Sequence, residues 1–206
     1  KITGKLKSGV RGIYISNPNN PIGYLFSKSE LQRLISKAAK NKALVIVDEA
    51  YFEFSGVTVK NLTKQFANLL IVRTLSKAFG LAGLRAGYII TNPRLVKVIE
   101  GLIKKPLTIG LLALREITNL TAVNFKNTAT QISRINHTKK ELDKFFQEMD
   151  IKYYPSSANF LTIEVKNSKL LVNKLKKYKI LVNDLNNYPD GGAMLRNCIR
   201  ITILRA

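Results

Sequence analysis

Tryptophan is absent from this chain of 206 residues, and cysteine and histidine occur once each. The lone Cys198 excludes an internal disulfide and a cysteine-rich metal framework, and it fits a reducing, cytoplasmic setting. The lone His137 excludes a site built on several histidines, and no metal site is expected. Long apolar runs are missing too. Uninterrupted stretches such as Ala43–Val47 fall far short of the ~20 residues needed to cross a bilayer core, so no membrane-spanning helix is expected. Lys1–Lys7 carry no apolar core of a secretory leader. Acidic residues are scarce, 13 against 34 Lys and Arg, for a formal charge of +21. That balance favours polyanions in general. Yet the basic residues are dispersed, and their longest runs are pairs such as Lys104-Lys105, Lys139-Lys140 and Lys176-Lys177. Without zinc-finger spacing or a basic tail, they read as a solvated lysine-rich surface and not as a nucleic-acid interface.

What is present suffices for a core. Hydrophobic residues make up 46% of the chain, enough for one large domain or two modest ones. Gly12–Ser16 is a β-rich run that ends in Asn17-Pro-Asn-Asn-Pro21, a loop because such a cluster of prolines and asparagines cannot hold a helix. Ser27-Lys-Ser-Glu30 has the form of a capping box, and Leu31, Leu34, Ile35, Ala38 and Ala39 follow at helical spacing. Ala43–Val47 suits a strand buried on both faces, with Asp48 at its carboxyl end. Leu69–Thr74 and Ala86–Thr91 read as two more such strands, and Asn92-Pro93 opens a helix through about Ile103. Strands alternating with helices predict an α/β domain with a mostly parallel sheet.

The second half changes character. A long helical stretch is expected from about Leu111 to Met149, broken near Asn119–Phe125. Short strands are expected at Lys152–Tyr154, Phe160–Val165, Ile180–Asn183 and Cys198–Ile203, with a helix near Leu170–Lys177. This predicts a large domain over 1–125 and a smaller α+β domain over 126–206. His137 lies on a polar helical stretch and reads as a surface residue. Cys198 precedes an apolar strand and reads as a small buried one.

Three elements carry candidate chemistry. Asn20 lies in the Asn-Pro-rich loop. Asp48-Glu49-Ala50-Tyr51 follows one buried strand, and Arg73 through Arg85, with Lys77 near its start, follows another. All three sit at carboxyl ends of predicted strands, where open α/β sheets collect their ligands. Each taken alone reads more readily as a turn, a helix cap or a surface lysine.

Together they resemble the fold-type-I pyridoxal-phosphate enzymes, and within them the aminotransferases of the histidinol-phosphate type. The resemblance is carried by Ser16-Asn-Pro-Asn-Asn-Pro-Ile-Gly23, Val47-Asp-Glu-Ala-Tyr-Phe52 and Thr74-Leu-Ser-Lys-Ala-Phe-Gly-Leu-Ala-Gly-Leu-Arg-Ala-Gly-Tyr88. Ser157-Ala-Asn-Phe160 and Cys198-Ile-Arg-Ile-Thr202 match more weakly. It implies pyridoxal 5'-phosphate as cofactor and transfer of an amino group between an amino acid or amino-alcohol phosphate and a 2-oxo acid such as 2-oxoglutarate. Lys77 would form the internal imine with the cofactor and later shuttle the Cα proton. Asp48 would pair with the ring nitrogen, and Tyr51 and Asn20 with the ring's phenolic oxygen. Thr74, Ser76 and Arg85 would hold the phosphate. Arg200 would receive the substrate carboxylate, with Asn20 also facing substrate. A cytoplasmic homodimer is implied.

The chain departs from the family in three places. An N-terminal portion carrying the Gly-rich phosphate loop, an aromatic residue stacked on the ring and part of the dimer contact is expected to be absent. Asn183-Asp184 stands where many relatives have Arg-Asp, near the substrate's distal group. Ile22 replaces a commonly small or polar residue. The segment Ile180–Pro189 is also similar to that of the threonine-phosphate decarboxylases of cobalamin synthesis, where the same cofactor would break the Cα–carboxylate bond. A catalytically inactive, basic protein of the same fold is a further alternative.

Overall fold

In a computed structural model of the chain, the structure describes residues 9–102, 109–120, 122–186, 188 and 192–204. Ile103, Lys104, Lys105, Pro189 and the N-terminal lysines considered above lie outside the described residues. The chain divides into two compact units, one made of residues 1–18 and 25–128, the other of 19–24 and 129–206.

The first unit is built on a four-stranded sheet. β1 (Gly12–Ser16), β2 (Leu44–Asp48) and β3 (Leu69–Thr74) pair in parallel, and β4 (Gly87–Thr91) closes the sheet antiparallel to β3. α1 (Lys28–Lys40) joins β1 to β2. It starts at Ser27, whose hydroxyl accepts from Glu30 N at 3.3 Å while the Glu30 carboxylate accepts from Ser27 N at 2.8 Å. This reciprocal pair satisfies two amides that the helix leaves open. Leu31, Leu34, Ile35 and Ala38 on α1 pack on Val45, Val47, Leu69 and Ile71 of the sheet to form the unit's buried core. α2 (Phe52–Ser55) and a single turn at Lys60–Lys64 lead into β3.

β4 differs from expectation. It runs antiparallel, and Gly87, Tyr88 and Ile89 are exposed. The connection from β3 holds only the three-residue turn Ala82–Leu84, with no crossover helix to carry the chain back for a parallel strand. Among the described residues the strand is the last of this sheet, with its first three residues exposed. α3 (Pro93–Leu102), α4 (Leu111–Thr118) and the start of α5 (Ala122–Glu148) follow.

The second unit holds an antiparallel sheet in the order β5-β6-β8-β7, formed by Tyr153–Tyr154, Phe160–Glu164, Cys198–Thr202 and Asn183–Asp184 respectively, with α6 at Ser168–Lys177. Phe160, Leu161, Ile163, Cys198 and Ile199 are buried. The strand expected over Ile180–Asn183 is displaced to Asn183–Asp184; Ile180 and Leu181 are exposed. Among the described residues no helix is long and apolar enough to cross a membrane, and no group of His, Cys, Asp and Glu could hold a metal ion.

Candidate active site

In the first unit, the residues singled out by sequence lie at the carboxyl ends of β2 and β3. Asp48 is the last residue of β2 and sits opposite Val72 of β3. Its Oδ1 accepts from Ala50 N at 3.0 Å, and its Oδ2 accepts from the hydroxyl of Tyr14 on β1. Two residues beyond Glu49, buried Tyr51 occupies the cap position of α2. The Lys77 ammonium lies 5.4 Å from the centre of the Tyr51 ring, a cation–π distance, and the lysine itself is exposed.

The lysine loop is held by its own backbone. Leu75 N donates to Ala86 O at 3.1 Å, Leu81 N to Leu75 O at 3.0 Å, and Gly80 N to Lys77 O at 3.1 Å. Phe79 adds an edge-to-face contact with Phe125, 5.6 Å between centroids. The Thr74 hydroxyl is 3.0 Å from Ser76 Oγ and accepts from Ser76 N at 3.1 Å, so the two hydroxyls stand together at the end of β3. Arg85 follows the short turn with left-handed φ of 50°. Its exposed guanidinium donates to Ala82 O at 3.3 Å.

Sequence reasoning missed what braces this set. Glu49 is 1% exposed and pairs with Arg73, 6% exposed, at 2.8 Å. Arg73 Nε and Nη2 both donate to Glu49 Oε2, Nη2 also donates to Thr58 Oγ1 at 2.7 Å, and Thr58 in turn donates to Glu49 Oε2 at 2.7 Å. Val59 N donates to Glu49 Oε1 at 2.8 Å. The guanidinium also stacks 3.4 Å over the Phe52 ring. Burial alone would depress the Arg73 pKa, but hydrogen bonds to Tyr88 and Glu49 more than offset it and leave it raised. The pair joins the residue after Asp48 to the residue before Thr74, so it ties together the two strand ends that carry Asp48 and Lys77. Arg73, a charged residue within the otherwise apolar strand β3, was the available signal. Close by, burial pushes the Glu53 carboxyl up to about 7, and its Oε2 is buried without a partner among the described residues.

In the second unit, Arg200 lies on β8 with its guanidinium 5.1 Å from the Phe160 ring centre. One terminal nitrogen donates to Asn20 Oδ1, whereas Nε is buried with no partner among the described residues. Asn20, read from sequence as part of the first sheet's loop, belongs by its contacts to this unit. Its carbonyl accepts from Tyr188 OH at 3.4 Å, and the neighbouring Pro21 carbonyl accepts from buried Thr162 at 2.6 Å. Gly23, at φ +81°, must be glycine: a Cβ there would stand 1.9 Å from Ser156 Oγ. Asn17 closes the base of the loop from within the first unit, accepting from Phe26 N at 2.7 Å and donating to Phe26 O at 3.3 Å. Asn183 lies across from Arg200 in the β7–β8 pairing.

This donor set fits pyridoxal phosphate. A carboxylate offers about four acceptor positions; with Tyr14 and Ala50 bound, Asp48 retains capacity for a protonated ring nitrogen. An exposed amine, adjacent hydroxyls and an exposed guanidinium supply the remaining chemical needs.

A mostly parallel α/β sheet with a carboxylate at the end of one strand and a lysine loop after the next defines the class, and residues 1–205 match the family described as aminotransferase class I and II. The chain belongs to that family, which works with pyridoxal 5'-phosphate. It is 39% identical over 193 residues to histidinol-phosphate aminotransferase of Ruminiclostridium cellulolyticum, covering 93% of this chain and 51% of the relative. Identity to the enzyme of the same name from Caldanaerobacter subterraneus subsp. tengcongensis is 36% over 195 residues, covering 93% and 52%. The chain thus spans about half the length of the curated relatives it matches. Among solved structures, histidinol-phosphate aminotransferase from Clostridium acetobutylicum superposes with a TM-score of 0.79 at 26% identity, over 95% of this chain and 60% of that one. L-threonine-O-3-phosphate decarboxylase from Porphyromonas gingivalis gives 0.83 at 24% identity, over 98% and 62%, a likeness of fold.

Proposed function

We propose that this chain carries the lysine-bearing part of an aminotransferase of the histidinol-phosphate type, moving an amino group between an amino acid or amino-alcohol phosphate and a 2-oxo acid such as 2-oxoglutarate. The observation that carries the reading is the exposed Lys77 amine over Tyr51, on the loop after β3, with Asp48 ending the adjacent strand. Residues 1–125 form the cofactor-binding domain and 126–206 the small domain, in a cytoplasmic homodimer. When bound, the cofactor supplies an electron sink for the Cα–H bond.

The chain's own groups do the rest. Lys77 is the nucleophile for the cofactor's aldehyde carbon and then the base that takes and returns the Cα proton. Asp48 holds a proton on the ring nitrogen. Tyr51 and Asn20 donate to the ring's phenolic oxygen, and Thr74, Ser76 and Arg85 hold the phosphate, the guanidinium with its planar fork. Arg200 takes the substrate carboxylate, which would satisfy its buried Nε.

A decarboxylase acting on an amino-acid phosphate is the second reading, supported by the neutral Asn183 beside Arg200. The test joins two measurements. Borohydride reduction with pyridoxal phosphate should fix the cofactor on Lys77, read by mass spectrometry, and Lys77→Ala should abolish it. Incubation with amino donors should yield the 2-oxo product without CO₂. Released CO₂ would select the decarboxylase, and an adduct on another lysine would overturn both readings.

A further inference from the structure

β1 alternates. Ile13 and Ile15 pack toward the core with α1, while Tyr14 and Ser16 turn to the opposite face. The register sets Tyr14 beside Ile46 and Ser16 beside Asp48, so Tyr14 shares a face with Asp48, one pleat back along the sheet. Its hydroxyl reaches Asp48 Oδ2 while Ala50 N holds Oδ1. A side chain from one strand and an amide from the following turn thus engage both oxygens and fix the plane of the carboxylate. Core packing does not account for this tyrosine, because it is 62% exposed.

We propose that Tyr14 is a positioning residue for Asp48, orienting the carboxylate for the cofactor's ring nitrogen; this rests on the cofactor reading above. With one oxygen held by the phenol and the other by the amide, the acceptor positions that remain are left for a pyridinium N–H. Tyr14 acts only as a donor. Partial burial, the bond to Asp48 and the negative charge of that carboxylate all hold its phenol above its ordinary value, so it keeps its proton across the neutral range.

The test uses the 206-residue chain and its variants Tyr14→Phe, Asp48→Asn and the double variant. With ¹³Cζ-labelled tyrosine, the Tyr14 resonance should remain that of the neutral phenol at pH ~10.5, where an ordinary phenol is more than half ionised. Asp48→Asn should move its titration down toward the ordinary phenol value, leaving the part of the upward shift that burial causes. In equilibrium dialysis with pyridoxal phosphate, Tyr14→Phe should weaken binding roughly fivefold to tenfold when Asp48 is present, and less than twofold in the Asp48→Asn background. A merely structural tyrosine would cost the same in both backgrounds, and that result overturns the proposal. Ordinary titration of Tyr14, unmoved by Asp48→Asn, overturns it as well. If no variant, nor the parent chain, takes up pyridoxal phosphate, the cofactor reading fails, and with it the role toward the ring nitrogen. The phenol titration then still decides whether Tyr14 holds Asp48.

Discussion

Arg73 and Arg200 each sit on a strand of a four-stranded sheet, each near an aromatic ring, yet their surroundings are opposite. Around Arg73 the donors converge on Glu49 and Thr58, the ring of Phe52 covers one face, and the guanidinium is nearly sealed from water. Around Arg200 one nitrogen is engaged by Asn20 and another is buried with no partner among the described residues. A saturated arginine is a fastener, since its hydrogen bonds are complete before any ligand arrives. A desolvated arginine with an open donor is destabilising until an anion comes, and so is poised for one.

The largest effect should come from breaking the saturated site. Glu49→Ala strands a buried guanidinium and leaves Val59 N and Thr58 without their acceptor, and should cost roughly 3–5 kcal/mol in urea unfolding. Replacing both partners with apolar residues should recover only part of that loss, because the Val59 amide still lacks a partner. A loss below ~1 kcal/mol would erase the contrast.

Arg200→Ala should do the reverse. Stability should change by about 1 kcal/mol or less, while affinity for an α-carboxylate such as 2-oxoglutarate falls roughly 10²-fold, equivalent to about 2.7 kcal/mol. If binding is unchanged, the open donor serves no ligand, and the exposed Arg196, two residues before β8, becomes the next candidate.

The smallest effect concerns Glu53, the carboxyl beside the saturated pair that remains outside it. Its pKa in the folded chain, about 7, is above the ~4.3 of an unfolded glutamate. The folded state therefore binds the proton more tightly, and stability falls as pH rises from ~4.3 through 7, levelling off above. Glu53→Gln should flatten that slope and add about 1–2 kcal/mol at pH 8, allowing for partial solvation. A pH slope identical to that of the parent chain would place the titration elsewhere.

What could be read in advance follows from distance along the chain. The Ser27–Glu30 box, the spacing of Leu31 through Ala39 and the apolar runs of β1 to β3 are local patterns, and the elements form where those patterns lie. The direction of β4 was not legible, because Ile89-Ile90 reads alike in a central strand and at an edge. Exposed Leu181 misled in the same way, as an apolar residue on a surface without a sheet beneath it. For the candidate site, motifs placed Lys77, Asp48 and Arg200 on their elements, but partners depend on register. Tyr14 meets Asp48 across 34 positions and Arg73 meets Glu49 across 24, and no periodicity within one strand reports a neighbour on the next.

The segment Asn19–Tyr24 has a consequence for biosynthesis. Its contacts belong to a unit whose other residues begin at Ala129, with Pro21 bonded to Thr162 over a span of 141 positions and Asn20 to Arg200 over 180. On the ribosome, this segment emerges well before the rest of its unit, which is assembled only after β8 follows. Closing so long a span adds little entropy beyond a shorter one, since the cost grows as the logarithm of length, but non-local closure is slow. A polypeptide starting at Ala129 would lack the acceptor for Thr162 and the glycine that lies against Ser156. A version that splices residues 19–24 in front of Ala129 through a short linker would carry its own keystone and should fold sooner.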